Sequence, residues 1–170
     1  MSPNETNRKV IRVEASADVG AAAADTYRMI ADYRDGHTRI IPAKYFRNLR
    51  VIEGGNGEGT VIEFDMLVFG KATHARARVS EPEPGRVLVE TYPDTGWVTT
   101  FIVEPRDASN SRVTIRTDAV VRAGLLGLLE GAFVRSFLSR VFPAELAQLD
   151  EQVRMRTPTP TPTPTPQHAV

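Results

Sequence analysis

An acidic side chain set among aromatic ones is the feature of this sequence that could do chemistry. Glu90 lies in Arg86–Tyr92, which is followed by Pro93-Asp94-Thr95-Gly96 and then by Trp97–Glu104. Two alternating runs about a Pro/Gly turn predict a hairpin. Pairing Tyr92 with Trp97 sets Glu90 opposite Thr99, and Leu88 opposite Phe101, on one face. Glu90 then stands as a lone carboxyl group between Tyr92, Trp97 and Phe101. Apolar surroundings disfavour the charged carboxylate and make the group a candidate acid or base. Glu90 and Tyr92 are therefore the candidate catalytic residues. A slip of one residue would turn Val89, Thr91 and Val98 inward and Glu90 to solvent.

The remaining chemistry-bearing types are sparse. His74 is expected in a solvated pair with Asp65 across two strands. His37, near Tyr33, Arg39 and Tyr45, could gate or protonate a ligand, although its expected place is the surface. No HExxH or His-x-His pattern occurs, so neither a metal nor another cofactor is expected. The chain has no cysteine, which excludes disulfides and thiolate chemistry. No serine sits in a nucleophile elbow. The glycine cluster at Gly54–Gly57 lacks the following helix and Lys-Ser/Thr of a phosphate loop.

Composition narrows the class. The 170 residues carry 21 basic and 21 acidic side chains and are 41% apolar, the averages of a single soluble domain. Zero net charge argues against a nucleic-acid partner. No apolar run reaches the roughly 18 to 20 residues that cross a bilayer, so no stable membrane insertion is expected. The polar start lacks the apolar stretch of a secretory signal, and a cytoplasmic protein is the expectation. Residues 1–7 and the Thr-Pro-rich tail, 157–170, are expected to be disordered, leaving a domain over 8–156. Deleting Thr157–Val170 is expected to leave the thermal melt unchanged, because that segment has no apolar face to bury.

These residues must be positioned by one strand, two helices, six strands and a long terminal helix. Ile11, Val13, Ala15, Ala17 and Val19 alternate with polar residues, which is strand periodicity. Ala24, Tyr27, Ile30 and Tyr33 follow helical spacing, and a shorter helix ends near Ile41, before Pro42. Thr60–Val68 and Lys71–Ser80 flank Phe69-Gly70, so a two-residue turn pairs Val68 with Lys71. Counting outward pairs Met66 with Thr73, Phe64 with Ala75 and Ile62 with Ala77, while Asp65 meets His74 and Glu63 meets Arg76. Arg112–Val120 is a last strand. From Leu125 to Met155 the inward stripe is read as Leu125, Leu129, Phe133, Phe137, Val141, Leu146, Leu149 and Val153. Pro143 should kink or divide that helix.

Six consecutive strands between helices must curl, and only the final helix can fill the concave face. The segment Ala22-Ala23-Ala24-Asp25-Thr26-Tyr27, leading into Ile30-Ala31-Asp32-Tyr33, resembles a family's entry to its first helix, with Ala23 in place of the usual proline. Val103-Glu104-Pro105 followed by Ser111-Arg112-Val113-Thr114-Ile115 resembles its strand pair. The family is the polyketide cyclase/dehydrase and lipid-transport superfamily (START-like, SRPBCC, birch-pollen-allergen-like). The resemblance implies an α+β helix-grip fold. In it a curved antiparallel seven-stranded sheet wraps a long C-terminal helix, with two short helices after the first strand. It also implies a cavity between sheet and helix. The candidate ligand contacts are then Tyr33, Ile62, Phe64, Met66, Ala75, Ala77, Leu88, Glu90, Trp97, Thr99, Phe101, Leu129, Phe133 and Phe137. The implied partner is a small hydrophobic or aromatic ligand, lipid or polyketide-like. Two other readings stand beside it: a cyclase/aromatase using Glu90 and a tyrosine, and a co-chaperone-like interaction module without ligand. A homodimer stays open.

Overall fold

Strand periodicity gives way to helical spacing where the sequence marks it. β1 (Arg8–Val19) leads into α1 (Ala23–Ala31) and α2 (Gly36–Ile40). Six strands follow: β2 (Phe46–Glu53), β3 (Val61–Val68), β4 (Lys71–Glu83), β5 (Val87–Tyr92), β6 (Trp97–Pro105) and β7 (Ser111–Arg122). The chain closes with α3 (Gly124–Arg156). The computed structural model describes residues 8–68 and 71–156. The segments 1–7 and 157–170 and the Phe69-Gly70 turn lie outside the described residues.

The strands form one antiparallel seven-stranded sheet in the order β1-β7-β6-β5-β4-β3-β2. Both hairpin registers agree with the counting. Met66, Phe64 and Ile62 face Thr73, Ala75 and Ala77. Tyr92, Glu90 and Leu88 face Trp97, Thr99 and Phe101. The turn between β5 and β6 ends on Gly96 at φ +73°, a conformation in which a Cβ is disfavoured. β4 runs past the expected Ser80 to Glu83, with an irregular step after Ser80. α3 lies against β1, β7, α1 and α2. Ile30, Tyr33, Ile62, Leu88, Ile115 and Leu149 are fully buried in the core.

α3 departs from expectation over its first half. It runs undivided through Pro143, so of the two expected outcomes division does not occur. The proline removes one backbone donor and costs about 3 kcal/mol. Burial of Val141, Phe142 and Leu146 on the adjoining turns offsets that, at roughly 1.5–3 kcal/mol each. The packed face is the one read from the apolar residues only over the second half, at Val141, Leu146, Leu149 and Val153. The buried residues are Gly127, Gly131, Val134, Leu138, Val141, Phe142, Glu145, Leu146, Leu149 and Val153. Leu125 is 76% exposed and Leu129 64% exposed, which corrects the expected inward position of both. One cause lies at Gly127, where a Cβ would sit 1.5 Å from the Arg122 carbonyl oxygen; at Gly131 a Cβ would meet Ile11 in ordinary contact at 3.6 Å. The helix start therefore presses its smallest residues on the sheet and turns its leucines out. Leu146→Ala is expected to cost about 2–5 kcal/mol in urea denaturation, and Leu129→Ala less than about 0.5.

Candidate functional site

Alternation along β5 sends Leu88, Glu90 and Tyr92 to the concave face, so Glu90 is carried inside by its neighbours. It is 4% exposed. Its carboxyl group is closely held: the Tyr33 hydroxyl donates to Oε1 at 2.6 Å and the Tyr92 hydroxyl donates to Oε2 at 2.5 Å. Two phenol donors on one carboxyl group suit the ionised form, which only accepts. Burial, and then the Glu90 charge, push both phenols well above the usual tyrosine range, so they remain donors.

His37 sits on α2 and is buried, not on the surface as its sequence context suggested. Its ring stacks on Tyr33 at 4.3 Å and meets Phe101 edge-on at 5.6 Å. Nδ1 lies 2.7 Å from the Ile30 carbonyl oxygen. A carbonyl only accepts, which assigns the proton to Nδ1 and leaves Nε2 as an acceptor. Nε2 lies 3.7 Å from Glu90 Oε1. Burial lowers the imidazole below its ordinary value, although Glu90 and the Ile30 carbonyl pull the other way. The ring is therefore neutral at pH 7.

Glu145 completes the cluster from α3 and is 5% exposed. Burial first, and the Glu90 charge second, push its carboxyl group up to about 8. It is thus a carboxylic acid at neutral pH. A carboxyl group that burial keeps protonated in this range is a candidate general acid.

These groups border a cavity of about 120 Å³. His37 lines it from α2, Ile62, Phe64 and Met66 from β3, and Thr73 and Ala75 from β4. Glu90 and Tyr92 line it from β5, Trp97, Thr99 and Phe101 from β6, Thr117 from β7, and Leu138 and Glu145 from α3. The Thr99 and Thr117 hydroxyls bond each other at 2.8 Å. Among the described residues no group of three or more His, Asp or Glu could hold a metal ion.

Nine of the residues named from sequence thus meet around one space: Ile62, Phe64, Met66, Ala75, Glu90, Tyr92, Trp97, Thr99 and Phe101. Tyr33, Ala77 and Leu88 are fully buried behind it, and Tyr33 acts by holding Glu90. Phe133 and Phe137 are half-buried and stack on each other at 6.4 Å, with Phe137 edge-on to Tyr45. They sit away from the lining, and Leu129 is outside altogether. Leu138 and Glu145 take the places the helix reading gave to Leu129, Phe133 and Phe137. His74 stays in its exposed pair with Asp65, at 3.3 Å.

The same architecture occurs in solved structures. KanY protein superposes with a TM-score of 0.75 at 22% identity, covering 86% of this chain and 99% of that one. The Zhui aromatase/cyclase from Streptomyces sp. R1128 gives 0.70 at 22% identity, covering 87% and 96%. Norcoclaurine synthase from Thalictrum flavum, in complex with dopamine and hydroxybenzaldehyde, gives 0.66 at 15% identity, covering 92% and 93%. At these identities the likeness establishes the helix-grip fold. No curated protein matches the sequence significantly. The family model described as polyketide cyclase / dehydrase and lipid transport matches residues 10–154, and the chain belongs to that family.

Proposed function

We propose that the protein binds a small aromatic carbonyl compound in its cavity and moves protons on it, as a cyclase or dehydratase does. The observation that carries this reading is one cavity bordered by a protonated acid, Glu145, and by proton acceptors, His37 Nε2 and Glu90. Glu145 donates to the carbonyl oxygen. His37 Nε2, beside Glu90, accepts the proton from the carbon next to it. As the enol collapses, its O–H proton returns to Glu145 and passes to a hydroxyl on the β-carbon. The C–O bond breaks, a C=C bond forms and water leaves, and the proton held by His37 restores the Glu145 acid through solvent. Each positioned acid or base contributes about 10²–10⁴-fold in rate. Tyr33 and Tyr92 hold the Glu90 carboxylate at a fixed place. Phe64, Trp97 and Phe101 supply an apolar wall.

The size of the space, about 120 Å³, selects the ligand class. A cavity of about 150 Å³ admits one benzene ring, whereas drug-sized ligands take about 300–1,000 Å³. The space lies at the one-ring end of this scale, far below what an extended poly-ketone chain needs. A carrier role is the second reading, favoured by the mostly apolar lining. Acetophenone in deuterated water separates the two. The parent is expected to accelerate exchange of its methyl protons, followed by NMR, and Glu145→Gln to lower that rate about 100-fold while the ring still binds. Binding without exchange in the parent would select the carrier reading. No binding would overturn both.

A further inference from the structure

The first two turns of α3 carry an apolar surface that the cavity does not explain. Leu125, Leu126, Leu128 and Leu129 are 76, 64, 65 and 64% exposed. A contiguous apolar patch on a water-facing surface marks an interaction site. Beside it runs a groove of about 340 Å³ between the helix start and the ends of β1 and β7. Its charged lining is basic: Lys9, Arg122 and Arg135. Arg8 pairs across strands with Arg122 and adds a fourth positive charge. Glu130 is the acid in contact, at 3.4 Å from Arg122 Nε. Gly127 and Gly131 are the buried positions of this stretch, and the leucines beside them face outward.

We propose that the start of α3 docks on a membrane surface rich in anionic lipid. The leucines enter the boundary of the acyl chains, and Lys9, Arg122 and Arg135 meet the headgroups. Leucines beside basic residues supply the two signals that peripheral attachment needs, apolar burial and electrostatic attraction. Among the described residues no helix is long and apolar enough to cross a membrane, so the attachment is superficial. A second copy of the chain is disfavoured as the occupant. A two-fold contact through the leucines would bring two basic clusters together.

Co-sedimentation of the full chain with lipid vesicles tests this. The parent is expected to bind phosphatidylglycerol-rich vesicles, to ignore pure phosphatidylcholine, and to be released by salt. Leu125→Ser with Leu129→Ser should lower the bound-to-free ratio at least about tenfold without changing the melting temperature, since both side chains are exposed. Lys9→Glu and Arg135→Glu should each lower it about fivefold. Binding to neither vesicle, or to both equally, would overturn the proposal. So would vesicle binding that the leucine variant leaves intact. A dimer abolished by that variant, with no vesicle binding, would assign the patch to self-association instead.

Discussion

Raising the pH from 6.5 to 8 is expected to destabilise the protein by about 2 kcal/mol, and Glu145→Gln is expected to remove that loss. The folded chain holds the Glu145 proton up to about pH 8, while the unfolded chain releases it near 4.5. Between those values the folded form binds the extra proton, so stability falls as pH rises, by about 1.4 kcal/mol per unit. His37 acts in the opposite sense. Its folded value lies below 6.5, so the unfolded chain takes the extra proton there and stability rises with pH up to that point. The two slopes oppose each other below pH 6.5 and leave Glu145 alone above it. The other groups of the cluster, Tyr33 and Tyr92, titrate far above this window. For a chain of this size the loss corresponds to a fall of about 4–8 °C in melting temperature. An equal slope in Glu145→Gln would show that some other group titrates.

Glu90→Leu is expected to cost about 2–5 kcal/mol, because it strands two buried phenols, Tyr33 and Tyr92, each worth about 1–3 when unsatisfied. Adding Tyr33→Phe and Tyr92→Phe to that variant should recover much of the loss, since no orphaned polar atom then remains. Chemical denaturation of the single and triple variants measures both numbers. Removing Glu90 also removes the second cause of the raised Glu145 value, so the decline between pH 6.5 and 8 should shrink in Glu90→Leu. A Glu90→Leu variant as stable as the parent would show that the two hydroxyls have other partners.

The sheet was legible because its rules are local. Period-two alternation and a turn of known length settle which side chains face each other, and Glu90 opposite Thr99 follows from counting out from Tyr92 and Trp97. Helix facing is decided differently. Around the start of α3 the reading weighted leucine and phenylalanine, but the Arg122 carbonyl at the end of β7 leaves no room for a Cβ at Gly127, and Gly127 and Gly131 took the inner face. Glu145 lay where the phase was read correctly, between Val141 and Leu149, and was passed over because only apolar residues were counted. Its signal was nonetheless present: Leu138, Val141, Glu145 and Leu149 share one helical stripe, and an acid in such a stripe needs a reason to be there. His37 was named as a residue that could protonate a ligand but was placed at the surface, for another cause. Its burial depends on a stack with Tyr33, across the turn between two short helices, and no periodicity operates over so few residues.

The pairing of β1 with β7 has a consequence for biosynthesis. All twelve residues of β1 find their partners on the last strand, and Arg12 pairs with Asp118, 106 positions later. α3, the other element packed on β1, comes later still. On the ribosome the first strand to emerge therefore waits for the last before any of its ladder can form. Closing so long a loop makes completion slow. During that interval the alternating apolar residues of β1 stand unpaired, which makes the nascent N-terminal strand a natural client for a holdase chaperone.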